Sequence, residues 1–360
     1  MPRSKPRALT LALPVAAALL VTGLQAGPAS ARPAGEPATG TGCSSYGRVA
    51  LDTTRNTATG LYELDDPGRG NHRTYDMKGA TTGNGMLFTD ADNVWCEDGP
   101  QADGVDAHYV HSVVWDYYLG THGRKGVHGN GRGTCSRVHY GNHYANAFWD
   151  GTSGCMTYGD GGPNRRLITI ETAAHEMTHG VTEATARLTY SGESGGLNEA
   201  TSTIFAAAAE FFANNPADPG DYLIGERTDI TGNTVSGRMD HPSKDGRSKD
   251  YWYPGIGGID VHYSSGPAHH FFYLLAEGSG PKVVNGVAYD SPTYDGKPVK
   301  GIGRSAAERI WYRALTAHMT SNTTYAAARG ATLRAAADLY GASSGEYAGV
   351  AAAWAAVNVK

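Results

Sequence analysis

The chain has 360 residues, of which 18% are charged and 40% apolar, with a formal charge of −5. That is the balance of a soluble globular protein long enough for one large domain or two mid-sized ones. An acidic chain without a Lys/Arg run speaks against nucleic acid or an anionic membrane surface as a partner.

The first segment does not belong to the globule. Arg3, Lys5 and Arg7 precede an apolar stretch from Ala8 to Leu24, and Ala29-Ser30-Ala31 supplies a small-x-small cleavage pattern. Residues 1–31 are therefore expected to be a secretory signal peptide, and the mature protein to be secreted and extracellular. Its removal takes three basic residues and no acidic one, moving the formal charge from −5 to −8. Residues 32–42 read as a flexible lead-in. From 43 to 170 a β-rich lobe is expected, with strand-like runs at Arg48–Asp52 and Arg137–Tyr140 and one helix over Asp106–Leu119. From 171 to 360 the sequence turns helical, with helices over Leu167–Leu188, Leu197–Ala213, Pro267–Glu277, Ser305–Ala317, Tyr325–Leu339 and Glu346–Val357. Residues 214–258 are loop-like. The fold class is α+β in two lobes. Four cysteines in an exported chain suggest two disulfides in one of three pairings. Cys135–Cys155 is favoured because strands near each could pair as a hairpin, which leaves Cys43–Cys96.

His175-Glu176-Met177-Thr178-His179 is an H-E-x-x-H pattern inside a helical run. Four residues span just over one turn, so both imidazoles project from one face and can hold a single zinc ion. Glu176 lies one position round the helix, where it can flank the metal as a base toward water. The bland alternative is a helix with two surface histidines. Against it stands Glu199, twenty residues after His179, on a second helix that can supply the third ligand and leave the fourth place open.

Many ordered stretches carry a wider likeness: DADN (90–93), VDAHY (105–109), NAFW (146–149), YGDG (158–161), AHEMTHGVTE (174–183), ESGGLNEA (193–200), DVHYSSG (260–266) and GIGR (301–304). From Cys43 to Lys360 the sequence resembles the thermolysin-like neutral zinc metalloproteases. The resemblance implies a β-rich and a helical lobe around a cleft, with the zinc helix at its floor. It also implies a monomeric endopeptidase that cuts peptide and protein substrates before bulky apolar residues, by Glu176-assisted attack of water at zinc. Tyr190 and His262 match the donors to the oxyanion, and Asn146 and Ala147 match substrate-backbone contacts on an edge strand. Asn198 matches a partner of the zinc ligands, Asp260 is placed to orient His262, and Ile224 matches a wall of the specificity pocket, while Thr172 and Ser236 stand near positions that are usually more apolar, so a weaker preference for Leu or Phe is expected. Glu171, Glu210, Asp221 and Glu226 match a paired structural calcium site, and Asp90 and Asp92 a further one, for two or more Ca²⁺ ions.

The sequence departs from the family at three places. A long propeptide is usual, whereas residues 32–42 alone separate the signal segment from the matching region as the sequence reads. Thr203 stands where an acidic residue usually braces the first zinc histidine. The arginine that usually meets the substrate carbonyl is Gly237 here, with Arg238 one place later. The last two departures keep an alternative in view: a secreted pseudo-protease that binds peptide or zinc with little turnover.

Overall fold

The structure is a computed structural model that describes residues 35–162, 166–228 and 235–360; the expected signal segment lies outside them. The amino-terminal part is built from two sheets. Strands β1 (Gly35–Ser44) and β2 (Gly47–Asn56) form a hairpin ten residues deep on each side. The short strands β3 (Tyr62–Glu63) and β4 (Asp65–Asp66) follow, then β5 (His72–Asp76), β6 (Met86–Leu87), β7 (Thr89–Asp90) and β8 (Val94–Trp95). After helix α1 (Pro100–His122) come β9 (Cys135–Val138), β10 (Ala147–Asp150) and β11 (Cys155–Tyr158). One sheet runs β7-β3-β2-β1-β8 and the other β10-β11-β9-β5-β4, with β6 beside β5.

The hairpin corrects one expectation. Residues 35–42 of the supposed flexible lead-in are strand, because their small side chains fit close packing rather than a linker. A Cβ at Gly42 would lie 2.7 Å from Leu51 Cδ1 and 2.8 Å from Val105 Cγ1, and one at Gly40 would lie 2.3 Å from Asn93 Oδ1. Both disulfides, Cys43–Cys96 and Cys135–Cys155, are present. The expected hairpin beneath the second is not: β9 and β11 pair in parallel with Cys135 opposite Cys155, and the hairpin partner of β11 is β10.

The rest of the chain is mainly helical: α2 (Ile170–Ala184), α3 (Gly192–Ala213), α4 (Val261–Ser264), α5 (Gly266–Glu277), α6 (Arg304–Ala317), α7 (Tyr325–Tyr340) and α8 (Gly345–Ala356). Between α3 and α4 lies a two-strand ribbon, β12 (Leu223–Ile224) with β13 (Gly237–Arg238), and after α5 a hairpin, β14 (Gly280–Val284) with β15 (Val287–Ser291). Thr169 caps α2 by accepting from Thr172 N, which fixes where the helix starts. Helix α3 begins five residues before the expected Leu197, through a Gly-Glu-Ser-Gly-Gly opening that propensity disfavours. Tertiary contact overrides it: a Cβ at Gly195 would lie 2.5 Å from Val261 Cγ1, and one at Gly196 2.6 Å from Ser264 Oγ. The larger core joins the two parts, with Tyr118 of α1, Met177 of α2 and Phe205 of α3 all fully buried, and a smaller one gathers Leu51, Leu64, Trp95 and Val105.

One polar clamp ties β5 to the first turn of α1. His139 Nδ1 lies 2.8 Å from Asp76 Oδ1 and its Nε2 3.0 Å from Asp103 Oδ2. Burial alone would lower the pKa of this imidazole, but its bonds to Asp103 and Asp76 prevail and push it up to about 9 from 6.5. A folded-state pKa above the unfolded one gives stability that is present below pH 6.5 and lost as pH rises toward 9. Thermal melts should therefore show Tm falling by a few degrees across that window. The His139→Gln protein should start lower and lose this pH dependence; parallel profiles for the two would contradict the clamp.

Candidate functional site

Helices α2 and α3 pack side by side and set the geometry of the site. His175 and His179, one turn apart on α2, point their Nε2 atoms at each other across 3.1 Å. The Glu199 carboxylate of α3 completes the group, 3.4 Å from His175 Nε2 and 3.5 Å from His179 Nε2. Each imidazole is held from behind. Asn198 Oδ1 can only accept, so the proton of His179 sits on Nδ1, 2.8 Å away, and its Nε2 lone pair faces the group. Asn198 is itself fixed by donating to the Leu188 carbonyl. Thr203 Oγ1 lies 3.4 Å from His175 Nδ1, a longer and uncharged brace. Burial would raise the pKa of Glu199, but its bond to His175 and the charges of both histidines hold it below the carboxylate range. Two imidazole nitrogens and an ionised carboxylate turned to one point are the donor set that zinc takes, so the residues fit that ion.

Glu176 lies beside the triad and is nearly buried. Its Oε2 accepts from the backbone N–H of Trp149 at 2.9 Å, on the edge strand β10, which leaves Oε1 for other chemistry. Tyr190 donates its hydroxyl to Glu199 Oε1 and lies 3.4 Å from His262 Nε2. Asp260 accepts from both the backbone N–H of His262, at 2.9 Å, and its Nδ1, at 2.7 Å. One carboxylate thus caps α4 and orients the ring, with Nε2 directed toward Tyr190 and Glu199. Glu176, Tyr190 and His262 line a cleft of about 920 Å³ together with the triad, Asn146 and Ala147.

A second cavity of about 250 Å³ adjoins it, sharing His175, Glu199 and His262 with the cleft. Ile224, Ser236 and Arg238 line it. Thr172 is not among its lining residues and instead interacts with the cap of α2. The guanidinium of Arg238 is committed elsewhere: Nε is 2.7 Å from buried Asp240, Nη2 donates to the Ala288 carbonyl, and the group lies over the ring of Tyr289. The one-place shift leaves Arg238 in the cavity wall with its guanidinium turned to Asp240 and Tyr289, where it serves the fold. His269 is the residue that sequence reasoning missed here. It lines the cavity from α5, and burial pushes its pKa down to about 4, which keeps it neutral.

At the far end of the same two helices Glu210, Asp221 and Glu226 bring carboxylate oxygens within 4.8 Å of one another. Glu171 adjoins them, accepting from Gly225 N. Burial and then mutual repulsion raise their pKa values, Glu226 to about 7 and Asp221 to about 6. Asp218 belongs to the cluster and was also missed; its only signal is the Asp-Pro-Gly-Asp spacing before Asp221. Glu210 Oε1 and Glu226 Oε2 are buried without a hydrogen-bond partner, and Asp218 Oδ2 makes no hydrogen bond but faces Arg227 Nε at 3.6 Å. Buried, unpartnered and like-charged oxygens fit a hard cation such as calcium. Asp90 and Asp92 are different. Their Oδ1 atoms accept backbone N–H groups within their own turn, and among the described residues no third acidic or histidine ligand joins them.

Among the described residues no helix is long and apolar enough to cross a membrane. Two family models match the sequence: thermolysin metallopeptidase, catalytic domain, over residues 38–183, and thermolysin metallopeptidase, alpha-helical domain, over residues 186–359. Among similar proteins, the transglutaminase-activating metalloprotease of Streptomyces mobaraensis is 59% identical over 325 residues, spanning 89% of this chain and 42% of that protein. The thermostable neutral protease NprT of Geobacillus stearothermophilus is 40% identical over 343 residues, 90% of this chain and 59% of that protein. Bacillolysin of Bacillus cereus is 39% identical over 338 residues, 90% and 56% of the two chains. The chain thus spans about half the length of these relatives. The precursor of protealysin, a metalloproteinase from Serratia proteamaculans, shares the fold with a TM-score of 0.62 at 24% identity, over 80% of this chain and 87% of that one. With both family models matched in order across residues 38–359, the chain belongs to the thermolysin metallopeptidase family.

Proposed function

We propose that the protein is a secreted zinc endopeptidase that hydrolyses internal peptide bonds of peptide and protein substrates. The observation that carries this reading is the convergence of His175, His179 and Glu199 beside the Glu176 carboxylate in a cleft of about 920 Å³. Zinc, when bound by the three, supplies Lewis acidity toward the scissile carbonyl and toward water. The substrate lies along the free edge of β10, where Asn146 and Ala147 offer amide and backbone groups to an extended peptide. Glu176 takes the proton of the attacking water and passes it to the leaving amine nitrogen. Its bond from Trp149 N holds one oxygen still, so that the other is aimed. The Tyr190 hydroxyl and the N–H at Nε2 of His262 donate to the oxyanion as it forms, and Asp260, against Nδ1, holds that ring in its orientation. The second cavity, with Ile224 in its wall, takes a bulky side chain after the cut bond.

The Glu176→Gln protein should bind one zinc per chain and lose roughly 10²- to 10⁴-fold in kcat on casein or a blocked peptide. Chelator should abolish wild-type activity and added zinc restore it. Near-normal turnover in the variant, or hydrolysis untouched by chelator, would overturn the reading. The longer brace at Thr203 bears on the pseudo-protease alternative. Replacing Thr203 by Asp should tighten zinc retention on dialysis against chelator by about tenfold or more, whereas an inactive scaffold would gain zinc without gaining turnover.

The acidic cluster is read as a calcium site held by Glu171, Glu210, Asp218, Asp221 and Glu226. A cation bound at one hundred times its Kd adds about 2.7 kcal/mol to stability, a shift of several degrees in a chain of this size. Calcium should raise Tm and lengthen the half-life at elevated temperature. The Glu210→Gln protein should lose most of that response; an equal response in both would remove the assignment.

A further inference from the structure

We infer that His269 is a specificity-determining residue, whose imidazole hydrogen-bonds the tip of the side chain following the cut bond and so favours a bulky side chain with a hydrogen-bonding end. The inference rests on the peptidase reading and deepens it. The smaller cavity shares His175, Glu199 and His262 with the cleft, so a side chain entering it belongs to a residue held at the metal triad. Its mouth is walled by Ile224, and at Gly237 there is no side chain, where a Cβ would meet only Ile224 at 3.5 Å. That opening leaves room for an aromatic ring.

The polar groups around this cavity are almost all taken. The Thr203 hydroxyl faces His175 Nδ1. The Asp245 carboxylate accepts from Arg247 N, Ser248 N and the Ser248 hydroxyl. The Arg238 guanidinium is on Asp240 and the Ala288 carbonyl. His269 differs: it is 7% exposed, and its Nε2 is buried without a partner. A buried polar nitrogen left unmatched is uncommon in a folded chain. Here it lies in the wall of the cavity that the substrate fills. A neutral imidazole nitrogen donates or accepts according to tautomer, and a phenol hydroxyl can do either, so tyrosine suits it in both states. A carboxylate would meet the charge of Glu199 and of Asp245, both close enough to act on this imidazole. An ammonium would have to shed its water beside an Asp245 whose oxygens are already filled.

The test uses two blocked peptides that are identical except for Tyr or Phe after the scissile bond, with the full zinc-loaded chain and kcat/KM as the readout. The wild type should prefer Tyr roughly tenfold, the value of one hydrogen bond to a buried group. His269→Phe should bring the ratio to about one, and His269→Asn, which keeps a hydrogen-bonding end, should retain part of it. Equal wild-type rates on the two peptides would overturn the inference even if the variants fail to fold. So would a ratio unchanged in His269→Phe. Cleavage of neither peptide by the wild type would instead overturn the peptidase reading, and this inference with it.

Discussion

The site depends on the packing of α2 against α3. Neither helix carries a metal centre alone: α2 offers two imidazoles and α3 one carboxylate, and only their contact brings three donor atoms to one point. Gly195 and Gly196 let the opening of α3 settle against α4, which carries His262. Small residues thus cost the helix propensity and return it as proximity. The same loss of side chain at Gly40 and Gly42 lets β1 lie against β2, β8 and α1. In both places glycine serves close approach rather than flexibility.

This accounts for what could be read from the sequence and what could not. The H-E-x-x-H pincer was legible because its geometry is local, fixed by helical rise alone. Glu199 was legible from its spacing together with the wider likeness. The β1 strand was not, because Gly-Glu-Pro-Ala-Thr-Gly has the composition of a linker and becomes strand only through its partner Gly47–Asn56. The Cys135–Cys155 pairing was foreseen for a reason that fails. The two strands lie side by side in parallel, a relation between chain segments that no local pattern encodes. His269 and Asp218 were missed for a like cause: each is an ordinary residue in sequence and acquires meaning only from the surface it faces.

Two of the three departures from the family pattern look different in three dimensions. The shift from Gly237 to Arg238 does more than displace a charge by one place. The guanidinium goes to Asp240 and Tyr289, and the cavity keeps a gap at Gly237. With Thr203 uncharged as well, this side of the triad has lost both members of the acid–arginine pair that the likeness implies. The chemistry on the other side, with Glu176, Tyr190, His262 and Asp260, does not depend on either. The departures therefore fall on metal retention and on the fit of the substrate rather than on proton transfer.

The two candidate ion sites share a mechanical frame. Helix α2 carries Glu171 one turn before His175, and α3 carries Glu210 three turns after Glu199. At the triad the Glu199 carboxylate and two imidazole nitrogens turn to one point, so an ion held there draws the two helices together. At the acidic cluster, ionising Glu171 and Glu210 would force them apart, because both are buried beside Asp218, Asp221 and Glu226, and for that reason their pKa values are raised. A cation seated among the acids reverses the sign of that force and makes both ends of the helix pair attractive. On the proposed reading, the structural ion therefore does more than raise a melting temperature. It sets the separation of α2 and α3, and with it the distance between Glu199 and the two histidines on which zinc binding turns.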